Sequence, residues 1–288
     1  MERDQNVPGY QGRVLVRSDE EIVDQGLGFD VGTILSRRRV LRVLGIGAAA
    51  AGVATCSTAE PGGTAATTTA ATTTAANQAT VGEMVTASTG PDVLEQSGIV
   101  RSDIRASFGG AGGVAGDVPM TLELTVADLA GGGSAFAGVA VYVWHCDRDG
   151  GYSMYSDAVR DENYLRGVQI ADAAGKVPYT SIFPACYAGR WPHIHFEVYP
   201  GQADITDPAR AIATSQVALP GDVCATVYAE DGYARSVTNL SRVSLDSDNV
   251  FGDDVFGDDG GVSQLGTVTG DVASGYTVTL DVAFDTTG

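Results

Sequence analysis

Residues 183–200 read FPACYAGRWPHIHFEVYP. Within them PHIHFEVY (192–199) alternates polar and apolar side chains, the pattern of a β-strand. Residues two apart on a strand face the same side, so the imidazoles of His193 and His195 project together. The chain has three histidines in 288 residues, and two of them stand here. Tyr187 lies six residues before His193, and Arg190 three before it.

The alternation recurs outward from this strand. MTLELTVADL (120–129) sets Leu122, Leu124 and Val126 on one face. AFAGVAVYVWHC (135–146) is a β-rich run, and SGYTVTLDVAF (274–284) is another strand. Gly, Asp and Ser clusters punctuate these runs, and no long segment keeps a helical period. The pattern predicts an all-β domain over 90–288, an antiparallel β-sandwich with long loops and short helices near 207–213 and 221–228.

The first 56 residues are expected to lie outside that fold. SRRRVLRVLGIGAAAAGVATC (36–56) joins an arginine pair to an apolar run from Val43 to Thr55. Thirteen residues are too few to span a bilayer, which takes about 20, but they suit the apolar part of an export signal. The arginine pair resembles a twin-arginine (Tat) signal, so the chain is expected to be exported, to the cell surface or beyond. VATC resembles a lipoprotein cleavage box, which would make Cys56 a lipidated membrane tether. Ordinary cleavage nearby, without an anchor, is the equal alternative. The Thr/Ala tract within 57–89 has no apolar period and reads as a flexible linker.

The net charge is −19. Residues 1–56 hold seven of the 17 basic and seven of the 36 acidic side chains, so the whole imbalance belongs to residues 57–288. That argues against nucleic acid as a partner, because phosphate backbones attract basic surfaces. Cys146, Cys186 and Cys224 allow one disulfide and one free thiol in an exported domain. Without a C-x-x-C spacing, a thiolate metal site is not indicated.

A strand-borne His-x-His pair suits zinc, copper, iron or nickel. Glu197 follows too closely for a cupin set, and no histidine follows His195. Nothing singles out Asp147 or Asp149 as the carboxylate of a two-histidine iron(II) site. The other oxygen donors at hand are phenols, Tyr152 in DGGYSMY and Tyr187. A phenol with pKa about 10 ionises only on a strong Lewis acid such as ferric iron. Two phenolates, two neutral imidazoles and a hydroxide would balance Fe(III), and a buried site needs that balance.

Three blocks, VYVWHCDRDGGYSMYS (141–156), NYLRGVQIADAAGKVPYTSIFPACYAGRWPHIHFEVY (163–199) and TSQVALPGDVCATVY (214–228), resemble the intradiol ring-cleavage dioxygenases. That family comprises the catechol and protocatechuate 3,4-dioxygenases, and its exported single-chain bacterial members look most similar. The resemblance implies a β-sandwich holding Fe(III) through Tyr152, Tyr187, His193 and His195. It implies a substrate catechol bound through both oxygens, with O2 as co-substrate and a cis,cis-muconate as product. Tyr187 would leave the metal with a substrate proton. Arg190 would stabilise negative charge on the ring, and Gln216 would line the same pocket. Trp144 and Trp191 are expected to pack, and His145 to be structural or to stand behind the ligands, without a ligand role. Members commonly carry GPYY near the domain start where this chain has GPDV (90–93), so a tyrosine of the substrate mouth is missing. Two other readings fit the residues alone: a non-catalytic exported β-sandwich binding module, and a copper or zinc enzyme using the same pocket.

Overall fold

The alternating stretch forms a strand, His193–Tyr199, and all seven of its residues are buried. A strand is covered on both faces only when it lies inside a sheet with packing on either side. The computed structural model describes residues 9, 10, 13–15, 22–24, 26, 30, 98–252 and 261–284. The arginine-pair segment, Cys56, the linker 57–89 and GPDV lie outside the described residues.

In chain order the strands are β1 (Gly9–Tyr10), β2 (Arg13–Val14), β3 (Pro119–Asp128), β4 (Ser134–Ala135), β5 (Ala140–Trp144) and β6 (Arg166–Ile170). Then come β7 (Lys176–Ile182), β8 (His193–Tyr199), β9 (Ala213–Ala218), β10 (Thr267–Asp271) and β11 (Gly275–Phe284). One sheet has the order β6-β5-β8-β9, antiparallel throughout. The other runs β10-β11-β3-β4, with β7 also paired to β3. Between them lies one apolar core. Leu122, Leu124, Val126, Val278 and Val282 enter it from the second sheet, and Val141, Val143, Ile194, Phe196 and Val198 from the first.

Among the described residues the regular structure is therefore mostly strand, in two main sheets beside the two-stranded β1–β2 pair, with few short helices, as the sequence predicts. The antiparallel expectation needs one correction. β3 and β11 pair in parallel, from Tyr276 opposite Met120 to Phe284 opposite Asp128. These strands stand far apart in the chain, so no hairpin turn dictates their relative direction. The run 135–146 divides into β4 and β5 around a turn where Gly138 has φ +85°. Near 207–213 only Pro208–Arg210 is helical before the β-branched ATSQVA continues as β9. The helix near 221–228 is α1 (Gly221–Val227), and a second helix, α2 (Ala234–Leu240), follows where the sequence pattern predicts none.

Two further expectations meet a difference. All three domain cysteines are free and buried, so no bridge forms among them. The Cys146 thiol points at the carbonyl of Ala185 and the Cys186 thiol at that of Arg190, both at 3.5 Å. The first 56 residues are also not wholly outside the fold. Val23 and Asp30 are buried against the first sheet, where the Trp144 indole donates to the Val23 carbonyl at 2.8 Å.

His145 is structural, as expected. Its Nδ1 lies 2.8 Å from the Cys146 carbonyl, which only accepts, so the proton sits on Nδ1. Nε2 then accepts from the Ser181 hydroxyl at 2.7 Å. Burial pushes its pKa down to about 4; the Cys146 carbonyl opposes this, and Arg166 adds to the lowering. A base whose folded pKa is depressed contributes stability above its ordinary pKa of 6.5 and loses it as pH falls toward the folded value. The shift corresponds to about 3 kcal/mol. Urea midpoints of the metal-free protein should drop between pH 7 and pH 4, and His145→Gln should show a shallower drop. An equal drop in that variant would assign the acid sensitivity to other groups.

Candidate metal centre

The outward side of the first sheet carries a row of cross-strand partners. Arg166 pairs with Trp144, Trp144 with His195, and His195 with Gln216. Directly opposed residues on neighbouring strands share a face. The register therefore sets Gln216 beside His195 and lays Trp144 on its other side. The Trp144 and His195 rings are stacked, 4.8 Å apart at 6°. An imidazole packed against indole and held in a central strand has little freedom to turn. Trp144 thus does more than the general packing expected of it.

The two phenols arrive on loops. Asp147 shapes the first, since the backbone N–H groups of Asp149 and Gly151 donate to its Oδ1 at 3.0 and 2.8 Å. The Tyr164 hydroxyl donates to its Oδ2 at 2.9 Å. This carboxylate is spent on the turn that delivers Tyr152. Gly150 is in that turn at φ +83°, and a Cβ there would stand 3.2 Å from Cβ of Tyr187. Both conformation and space call for glycine where the two loops meet.

Four side-chain atoms converge. Nε2 of His193 and Nε2 of His195 are 2.9 Å apart. Tyr152 Oη lies 3.1 Å from His195 Nε2 and 3.4 Å from His193 Nε2, and Tyr187 Oη lies 3.4 Å from His193 Nε2. Donor atoms about 2.0–2.1 Å from a shared centre would be about 2.9 Å apart at a right angle and about 3.4–3.6 Å apart at 109–120°. These four separations are those of ligands sharing one small ion, with Tyr187 placed by its distance to His193. Among the described residues no group of three or more His, Cys, Asp or Glu could hold a metal. A metal here would have to use the phenols.

The protonation of His193 also fits. Its Nδ1 faces the Trp191 carbonyl, so the proton sits there and Nε2 keeps its lone pair. Burial pushes its pKa down to about 3, with Arg190 adding to the effect. The ring is neutral at neutral pH, as a metal ligand must be. His193, His195 and Tyr152 are buried, while Tyr187 is half-buried.

Arg190 and Gln216 meet at this centre: an Nη of Arg190 donates to Gln216 Oε1 at 2.7 Å. Nε of Arg190 donates to Asp248 Oδ2 at 3.0 Å, in an ion pair whose side chains are 4% and 0% exposed. Asp248 also accepts from the backbone N–H of Trp191, Val250 and Phe251. Burial alone would raise its pKa, but Arg190 and these N–H groups hold it below the usual carboxylate value. The Phe251 ring lies 6.3 Å from that of His193. Asp248 and Phe251 were missed in the sequence, where they sit in an Asp-rich stretch without periodicity.

Residues 89–197 match the family model described as Dioxygenase. The matched segment contains Tyr152, Tyr187, Arg190, His193 and His195, while Gln216 and Asp248 lie beyond it. An intradiol ring-cleavage dioxygenase from Tetranychus urticae is similar in structure, with 20% identity over 66% of this chain and 88% of that one, at a TM-score of 0.53. The dioxygenase domain of a carbohydrate-binding fusion from Streptomyces sp. SirexAA-E gives 22% identity over 65% and 88%, at 0.41. Catechol 1,2-dioxygenase from Pseudomonas arvilla C-1 gives 21% over 65% and 57%, at 0.39. The Tetranychus likeness carries the fold; the other two scores add no weight to it.

Proposed function

We propose that this chain, whose residues 89–197 carry the pattern of the dioxygenase family, is a ferric intradiol dioxygenase acting on catechols. The observation that carries the reading is the convergence of two phenol oxygens and two imidazole nitrogens at 2.9–3.4 Å. Phenolates are hard, anionic donors that suit a trivalent ion, and two of them offset most of its charge in a buried site. Tyr152, Tyr187, His193 and His195 would hold Fe(III). When bound, the iron would supply Lewis acidity that ionises a catechol and readies its ring for O2.

The chain's own groups do the rest. His193 holds its proton at Nδ1 against the Trp191 carbonyl and offers Nε2 inward. Tyr187 is the more exposed phenol, and its Oη is the base for a catechol proton. Arg190, fixed by Asp248 and Gln216, supplies positive charge beside negative charge developing on the substrate. In the overall reaction the ring bond between the two hydroxylated carbons breaks. Both atoms of O2 enter the product, a cis,cis-muconate-type diacid, so no external reductant is consumed.

Oxygen uptake against a panel of catechols, with product spectra, tests the reading. Uptake with muconate-type products is expected. His193→Ala or His195→Ala should abolish it by emptying the site. Extradiol products, or no uptake with iron loaded, would refute it.

We also propose that residues 36–56 direct export by the twin-arginine route, with Cys56 as a tether. The support is the arginine pair followed by a short apolar run. Replacing Arg37 and Arg38 by lysine should leave the protein inside the cell; unchanged export would contradict the route.

A further inference from the structure

The outward side of the first sheet has a second feature that the centre does not use. Arg166 is wholly buried. Its Nε donates to Ser153 Oγ at 3.0 Å, one Nη to the Ser153 carbonyl at 2.9 Å, and the other to Tyr142 Oη at 3.2 Å. These partners are neutral, and a buried guanidinium needs a counter-charge. Asp30 supplies it, from 136 residues upstream. The Asp30 carboxylate is buried too, and the hydroxyls of Tyr142 and Tyr155 donate to it.

Other contacts come from the same segment. The Trp144 indole donates to the Val23 carbonyl at 2.8 Å, and Val23, with Leu15 and Ile22 against it, joins the apolar cluster of Tyr142, Trp144 and Tyr199. Gly26 is at φ +76°, and a Cβ there would meet the Glu197 carboxylate at 2.6 Å. The Glu197 carboxylate is itself buried, accepting from Tyr199 Oη at 2.8 Å and Thr214 Oγ1 at 3.0 Å. A charge, a backbone acceptor, an apolar side chain and an obligatory glycine thus meet complementary features of the domain. That is the composition of a docked peptide, with its buried charge as anchor.

We propose that this face is a binding site for an acidic peptide segment, with Arg166 as the carboxylate receptor, and that its ligand is the stretch of this chain that carries Val23, Gly26 and Asp30. The segment is then a separable ligand: the uncleaved chain holds it in cis, and after cleavage before Cys56 the same contacts would have to hold it non-covalently. Its release would take the counter-charge from Arg166 and the acceptor from Trp144. Trp144 stacks on His195, so occupancy of this face would bear on how that imidazole is held.

The test uses the full chain with a specific protease site inserted in the Thr/Ala tract, cut after folding. The N-terminal fragment is expected to co-elute with the domain in size-exclusion chromatography at micromolar concentration. Gly26→Val and Asp30→Asn change only the fragment. Each should weaken retention about tenfold or more, the scale of losing a charge-assisted hydrogen bond. Release should shift the fluorescence contributed by Trp144. A wild-type peptide spanning 9–30 should rebind the domain left by either variant and restore the signal, which a domain that had failed to fold would not allow. Immediate separation of the wild-type fragment, equal retention of both variants, or failure of the peptide to rebind would overturn the proposal.

Discussion

Tyr187→Phe is expected to lower catechol turnover about 10²–10⁴-fold, the usual scale for losing a positioned base, with a smaller change in apparent affinity. The expectation comes from the difference between the two phenols. Tyr152 is buried, while Tyr187 is half-buried on the loop before β8, within 3.4 Å of His193 Nε2. Phenylalanine keeps the ring, and with it the edge-to-face contact to Tyr152 at 5.7 Å. It removes only the oxygen. Iron content measured beside kcat separates the two roles of that oxygen. A variant that keeps iron and loses turnover has lost a base, and one that loses iron has lost a ligand. Wild-type turnover in this variant would remove Tyr187 from the proton route.

Arg190→Leu should cost about 3–5 kcal/mol of folding stability, the range for removing one partner of a buried ion pair. Asp248 would keep its backbone N–H donors but face burial without a counter-charge. Without the guanidinium, burial is expected to raise the Asp248 pKa, so stability should fall further as pH rises from the ordinary carboxylate value toward the raised one, since the ionised form is the one left unpaired. The double variant Arg190→Leu, Asp248→Leu removes both charges and should recover part of the loss in urea unfolding. Equal losses in the single and double variants would mean that Asp248 does not depend on Arg190 for its burial.

The strand bearing His193 and His195 was legible because period-two alternation is local and fixes which side chains share a face. The phenols were legible only through the three family blocks, since a tyrosine in a loop has no periodic signature. Gln216 came from the same resemblance, and its physical reason lies in the antiparallel register of β8 and β9, which no single segment encodes. Asp248 is not legible in the sequence, because it reaches Arg190 across 58 residues, from a stretch where acidic residues are common. The parallel pairing of β3 with β11 is not legible for a similar reason, being a contact between strands at opposite ends of the domain. Asp30 reads as part of the export leader, since only the buried guanidinium of Arg166 reveals what it is for.

Metal content together with the visible spectrum of the purified full-length chain bears most directly on the central claim. The account predicts about one iron per chain and a burgundy protein, because phenolate-to-iron(III) charge transfer absorbs visible light. That band should shift on adding catechol and weaken in Tyr152→Phe. A colourless protein after iron loading, or one holding zinc or copper in place of iron, would contradict it.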